Sequence, residues 1–159
     1  MARAHPKLID LLRDTAARLE QGAHYEWAHA GRCNCGHLAQ SLTGLSAEEI
    51  NRTAAAERLD EWSEFANDYC PHSGLPVDSV IDRMLDAGLE LRDIHHLEYL
   101  SDKKILGGLP GGFRWLRRNR REDVALYLRT WASLLEEELN DRKLSARSFD
   151  TASLVHIDS

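Results

Sequence analysis

The sequence predicts an all-α fold: a single-domain, irregular bundle of about six helices, two of them joined by a metal site. Apolar residues recur at spacings of three and four, the period of a helix with one buried face. Proline and glycine stand where helices begin and end, and no useful stretch alternates between apolar and polar residues as a half-buried strand does. All three cysteines fall in two short glycine-bearing motifs, which indicate the metal site.

Three helical segments are predicted in the first half of the chain. Pro6 occupies a favoured first helical position and Gly22 a favoured stop, which predicts a helix over 6–21. A shorter helix is predicted over 37–42, and Gly44 ends it. Ser46 and Glu49 form a capping box, in which each side chain satisfies a free backbone amide, so a further helix begins there. Its apolar face, which leads to the second cysteine motif, consists of Leu59, Trp62, Phe65, Ala66 and Tyr69.

The second half of the chain predicts three more helices. Pro76 opens one that Gly88 stops, a shorter helix covers 91–100, and 107–112 is a glycine- and proline-rich loop. Asn119 and Glu122 are the predicted cap of the last long helix. The buried stripe of that helix is Val124, Tyr127, Leu128, Trp131, Leu135 and Leu139. The periodicity weakens after Asp141, which predicts a helical domain over 1–141 and a partly disordered tail over 142–159.

Composition and charge exclude several classes of protein. Hydrophobic residues make up 43% of the chain and charged residues 29%, which is a globular rather than a disordered balance. No apolar run approaches the roughly 18–20 residues that span a bilayer, and the N-terminus lacks the apolar stretch of a secretory signal. We therefore expect a soluble, cytoplasmic protein with no membrane segment. The net charge of −6 argues against general nucleic-acid binding.

Two short motifs contain the residue types that bind metal ions. They are Cys33-Asn34-Cys35-Gly36-His37 and Cys70-Pro71-His72-Ser73-Gly74. Each motif places two soft or borderline donors one residue apart, and the nearby glycine permits a tight turn. An odd number of cysteines and a reducing compartment both argue against disulfides. The prediction is a closed tetrahedral zinc site formed by Cys33, Cys35, Cys70 and His72.

Three further histidines and a second cofactor are alternatives. His37, His29 and His24 are the next candidate ligands, because His29, Cys33 and His37 would share one face if this segment were a continuous helix. Three cysteines and one histidine can also hold an iron–sulfur cluster. An iron–sulfur cluster is therefore the alternative cofactor to zinc.

A second cluster of polar residues lies in the predicted helix over 91–100. Asp93, His95, His96 and Glu98 have the helical spacing of carboxylate and imidazole ligands in di-iron bundles. These four residues do not have the Glu-x-x-His order of those sites, and no convincing set of matching glutamates is found on other helices. The favoured interpretation is a polar helix face.

A basic segment over 103–121 is the local exception to the acidic charge. It contains Lys103, Lys104, Arg114, Arg117, Arg118, Arg120 and Arg121, with Trp115 among the arginines. Such a segment can bind phosphate or single-stranded nucleic acid, or it can pair with acidic protein surface. The acidic remainder of the chain favours pairing with protein, so the expected partner is another protein or a second copy, not nucleic acid or a membrane.

Three functions remain open from the sequence. The leading hypothesis is a small metal-binding protein, with zinc in a structural role, that acts through protein–protein contact. The alternatives are an iron–sulfur or other iron redox or sensor protein, and a metal-dependent enzyme with an open ligand position. The sequence contains no nucleophile elbow, dinucleotide fingerprint or Walker loop, so no catalytic residue is predicted.

Overall fold

The computed structural model describes residues 1–56 and 61–154, and within these ranges the chain forms eight helices and no strand. The helices are α1 (Pro6–Glu20), α2 (Asn34–Thr43), α3 (Ala47–Ala56), α4 (Trp62–Asn67), α5 (Pro76–Asp86), α6 (Leu91–Tyr99), α7 (Lys103–Gly107) and α8 (Arg121–Leu154). The all-α prediction is confirmed. The number differs from six because the predicted helix from Ser46 to Tyr69 contains two helices, and because the basic segment begins with the short α7.

Local sequence signals explain several helix ends. Pro6 and Pro76 open α1 and α5, where a missing backbone N–H costs nothing. Gly44 closes α2 in the left-handed conformation, with a φ of 74°. The capping box before α3 is present, since the Ser46 amide donates to Glu49 at 2.7 Å and the Glu49 amide donates to Ser46 Oγ at 3.2 Å.

The core is built around α2 and α8. α1 packs along α8, which is the most extensive contact between helices, and α2 contacts α1, α3, α5 and α6. The stripe predicted for the last helix is confirmed: Val124, Tyr127, Leu128, Trp131 and Leu135 are buried and Leu139 is partly buried. On α4, Trp62, Phe65 and Ala66 are buried as predicted, whereas Leu59 lies outside the described residues.

The start of α2 corrects one sequence prediction. The glycines at 31 and 36 favour a turn that holds Cys33 and Cys35. Instead α2 begins at Asn34, so Cys33 is its N-cap and Cys35 lies in its first turn. Both cysteines are therefore part of the helix start, and their side chains enter the core.

The last helix is longer than its periodicity predicts. α8 has 34 residues and continues beyond Asp141 to Leu154. Leu144, on the continued part, is 61% exposed, which explains why the buried period is lost there. Residues 155–159 of the predicted tail lie outside the described residues. Among the helices that are described, α8 included, none combines the length and the apolar character needed to cross a membrane.

Candidate functional site

The four predicted zinc ligands are not brought together. Cys33 is 4% exposed and Cys35 is fully buried, whereas Cys70 and His72 are exposed in the turn between α4 and α5. Cys33 Sγ lies 3.5 Å from the Ala30 carbonyl oxygen, and Cys35 Sγ lies 3.5 Å from that of Ile94. Among residues 1–56 and 61–154, no group of three or more His, Cys, Asp or Glu side chains is placed to hold a metal ion. The metal site expected to join two helices is therefore not supported, because the two pairs of donors face different environments.

The three alternative histidine ligands have other partners or face solvent. His37 is buried, and its Nε2 donates to the backbone oxygen of His24 at 3.0 Å. His29 is half-buried, and its Nδ1 accepts from the Gly31 amide at 3.2 Å. His24 is exposed. The His37 contact joins α2 to the segment before it, and the His29 contact lies within that segment.

Burial suppresses the reactivity of both core cysteines. Loss of hydration raises the pKa of Cys33 to about 12 and raises that of Cys35 well above its usual value. The thiolate is the form that binds metal or attacks an electrophile, so both side chains act here as protonated thiols. They behave as small apolar groups of the core.

The two cysteine motifs can be separated by substitution. We expect Cys35→Ser to lower the free energy of unfolding by about 1–3 kcal/mol, because it buries a hydroxyl among apolar groups. Cys70→Ser should change it by less than about 0.5 kcal/mol, because Cys70 is exposed. Urea unfolding of both variants measures the difference. Equal, large losses, together with a melting temperature that a strong chelator lowers, would restore the four-ligand zinc site or its iron–sulfur alternative.

Asn34, between the two cysteines, has a structural role that the sequence does not predict. It is fully buried, and its Nδ2 donates to the carbonyl oxygens of Leu97 at 3.1 Å and Glu98 at 3.0 Å. Its Oδ1 accepts from the Tyr25 hydroxyl at 2.6 Å. One amide side chain thus joins the start of α2 to the end of α6. No local pattern could have revealed this role, because the carbonyls lie more than 60 residues away along the chain.

The polar cluster on α6 is also resolved into separate roles. Glu98 is 3% exposed and accepts from the amides of Trp62 at 2.9 Å and Ser63 at 2.8 Å, so its carboxylate caps α4 from another helix. His95 contacts Asn67, and His96 contacts Ser101. Asp93 is buried and accepts from the Glu90 amide at the start of its own helix. The prediction of a polar helix face is therefore wrong for Asp93 and Glu98, which are buried, whereas His95 and His96 are half-buried.

A cavity of about 270 Å³ lies beside this cap. It is lined by Trp27, Ala28, Ala30, Cys33, Glu61, Trp62 and Glu98. Two of these residues are carboxylates, two are indoles, and none is a lysine or arginine. The cavity therefore has the chemistry to accept a positively charged group rather than an anion.

His37 makes stability depend on pH. Burial lowers its pKa from 6.5 to about 4, so the unfolded chain takes up a proton between these values that the folded chain does not. Stability from this group is therefore complete above pH 6.5 and is lost as pH falls to 4, by about 3 kcal/mol. His37→Gln, which keeps a donor for the His24 carbonyl, should remove this part of the pH dependence. Urea unfolding of both proteins at pH 4–7 tests it, and parallel pH profiles would contradict it.

The strongest surface feature is a loop in the basic segment, residues 110–120, which we call the aromatic–arginine loop. Phe113 is 51% exposed and Trp115 is 68% exposed, and their rings make an edge-to-face contact with centroids 5.3 Å apart. Gly111 and Gly112 have φ values of 86° and 92°, which side-chain-bearing residues rarely adopt, and they turn the chain before Phe113. Arg114 donates to the Pro110 carbonyl at 2.8 Å and stiffens that turn.

Comparison with known proteins adds no assignment. Neither a protein-family model, nor a curated protein, nor a solved structure matches the chain. The chemistry of the described side chains is therefore the basis on which a function is proposed.

Proposed function

We propose that this chain is a protein-binding module whose aromatic–arginine loop docks onto an acidic surface of another protein. The observation that carries the proposal is the exposure of Phe113 and Trp115 side by side in an ordered, arginine-bearing loop. Aromatic residues and arginine are enriched at protein interfaces, and tryptophan and arginine are common among the few side chains that dominate binding energy. Large exposed aromatic side chains are costly to leave in water, and a partner that covers them recovers that free energy.

Charge indicates which kind of partner fits. The segment 103–121 holds seven of the 20 basic residues and none of the 26 acidic ones. Such a concentration favours acidic protein surface, because complementary charge steers association and rejects like-charged partners. A second copy of the chain also offers acidic surface, since the residues outside the segment comprise 26 acidic and 13 basic ones.

Some arginines of the loop hold its conformation, and others expose their side chains to a partner. Arg114 is held by the Pro110 carbonyl, and the backbone amide of Arg117 donates to Asp123 at 2.7 Å, which ties the loop to α8. The side chain of Arg117 is exposed next to this anchor. A loop fixed in this way loses little conformational entropy on binding, which favours recognition.

Photo-crosslinking in the living cell tests the proposal and identifies the partner in the same experiment. A photoreactive phenylalanine analogue replaces Trp115 in the full chain, and the crosslinked peptide is identified by mass spectrometry. We expect a protein segment rich in aspartate and glutamate, from another protein or from a second copy. The same analogue at Leu75, which is exposed outside the loop, is the control and should not give that product. A crosslink to nucleic acid, or to a surface without acidic residues, contradicts the proposal.

Nucleic acid is the rival ligand, and titration with a single-stranded oligonucleotide distinguishes it. We expect weak binding that fades steeply between about 50 and 200 mM salt, because counterion release drives it. Trp115→Ala should change this binding by less than about threefold if no base stacks on the indole. A salt-resistant complex that Trp115→Ala or Arg117→Ala abolishes would assign the loop to single-stranded nucleic acid instead.

A further inference from the structure

The guanidinium of Arg118 lies against two aromatic rings that come from distant parts of the chain. Its Cζ atom is 4.7 Å from the ring centroid of Trp27 and 4.7 Å from that of Tyr99. Tyr99 is 36% exposed and Trp27 is half-buried, so both rings are accessible from solvent. Two rings around one cation form an aromatic cage, the arrangement by which proteins bind guanidinium and alkylated ammonium groups.

Nothing else among the described residues holds this guanidinium by charge. The neighbouring Arg120 and Arg121 form ion pairs with Glu122, whereas Arg118 has no ion pair in the described ranges. The backbone of Arg118 is anchored separately, since its carbonyl oxygen lies 2.5 Å from the Tyr25 hydroxyl, whose single hydrogen it shares with Asn34 Oδ1. The side chain can therefore leave the rings while the backbone of the loop stays in place.

The surroundings of the two rings favour a cation over a neutral group. The Tyr99 hydroxyl donates to Glu61 at 2.7 Å, which places a carboxylate at the edge of the rings. Trp27 and Glu61 also line the cavity of about 270 Å³ described above, together with the buried carboxylate of Glu98. That cavity offers space and negative charge directly beside the rings, and no cationic side chain lines it.

We propose that Trp27 and Tyr99 form a binding site for a guanidinium or alkylated ammonium group carried by another molecule, and that Arg118 is its exchangeable internal occupant. This site is separate from the exposed aromatic pair of the loop and does not depend on the proposed function. Because Arg118 competes for the rings, an external cation binds weakly to the wild-type chain and more tightly once Arg118 is removed. The ligand class is an arginine side chain, a methylated lysine or a small quaternary amine.

Titration of the full chain with tetramethylammonium chloride and with arginine methyl ester tests the site. The readout is the indole N–H resonance of Trp27 in NMR spectra, with sodium chloride at equal ionic strength as the control. We expect saturable shifts in Arg118→Ala at millimolar ligand, with an affinity about tenfold higher than in the wild type, which corresponds to about 1.4 kcal/mol. The melting temperature of Arg118→Ala confirms that the variant remains folded.

Two double variants test the rings themselves. Arg118→Ala combined with Trp27→Leu should bind neither cation, and Arg118→Ala combined with Tyr99→Leu provides the same test if the first double variant is unstable. Equal affinities in the wild type and Arg118→Ala would overturn the proposal, because Arg118 would then not be a competitor. Absence of saturable binding in Arg118→Ala, or undiminished binding in a folded double variant, would also overturn it.

Discussion

Gly36→Ala is expected to lower the free energy of unfolding severely, one of the two largest effects of a single added methyl group at a described glycine. A Cβ atom on Gly36 would lie less than 3.0 Å from the carbonyl oxygen of Ala30 and from the backbone of Gly31. These are backbone atoms of residues 30–31, so relief requires that α2 move away from the segment before its N-cap, Cys33. The cost should exceed about 4 kcal/mol, the range of exceptionally damaging substitutions. Circular dichroism and urea unfolding of the purified variant measure it.

Two other glycines test the same argument, one at a similarly close contact and one in open space. Gly31→Ala should be equally damaging, because its Cβ would lie within 3.0 Å of the Ala47 carbonyl group at the start of α3. Gly107→Ala, at the end of α7, meets no atom within 4 Å and should be neutral or more stable by up to about 1 kcal/mol. A folded Gly36→Ala protein with a melting temperature near that of the wild type would show that this close approach is absent in solution.

Glu98→Ala is expected to lower the free energy of unfolding by about 3–5 kcal/mol, since it leaves buried donors without partners. The amides of Trp62 and Ser63 at the start of α4 both donate to this carboxylate. Both residues are buried, and a water entering from the adjoining cavity would replace only part of the lost hydrogen bonding. Glu98→Gln keeps one acceptor oxygen and should lose less. Equal stability of Glu98→Ala and the wild type in urea unfolding would contradict the capping role.

The titration of Glu98 makes the free energy of unfolding depend on pH. Burial raises its pKa above the usual 4.5 and outweighs the opposing effect of the hydrogen bonds from Ser63 and Trp62. The folded chain therefore keeps the proton to a higher pH than the unfolded chain, and stability from this group falls as pH rises from 4.5 through the folded pKa. The stability of the wild type relative to Glu98→Gln should decline over that window. This direction is opposite to that of His37, whose contribution rises with pH, so each variant isolates one group.

The candidate site shows where local patterns mislead. Cysteine, glycine and histidine at short spacing in the Cys33 motif are typical of a metal-binding turn. In the structure, Gly36 is required because two backbone segments touch, and His37 is required by a carbonyl of the preceding segment. The residue types are those of a metal site, but packing explains them. A metal site requires that Cys70 approach Cys33, and the spacing of the two motifs along the chain does not determine whether it does.

The exposed loop shows the opposite case, in which the sequence identifies the segment but not its parts. The basic charge, the glycines and Trp115 mark 103–121 as a surface feature from composition alone. Composition does not show that Trp115 faces solvent while Arg118 turns back onto Trp27, 91 residues earlier in the chain. The two residues are three positions apart and have different roles.

Local sequence signals predict the helical class of this protein, most helix boundaries and the buried stripe of α8. These features depend on proline, glycine, capping residues and the period of apolar side chains, all of which act within about one or two helical turns. The packing of the helices makes Cys33 and Cys35 core thiols, brings Glu98 to the start of α4 and places Arg118 against an aromatic pair. Each of these depends on contacts between residues that are far apart along the chain. Such contacts form only when the helices pack, because burial and close approach are properties of the assembled bundle and not of any segment within it.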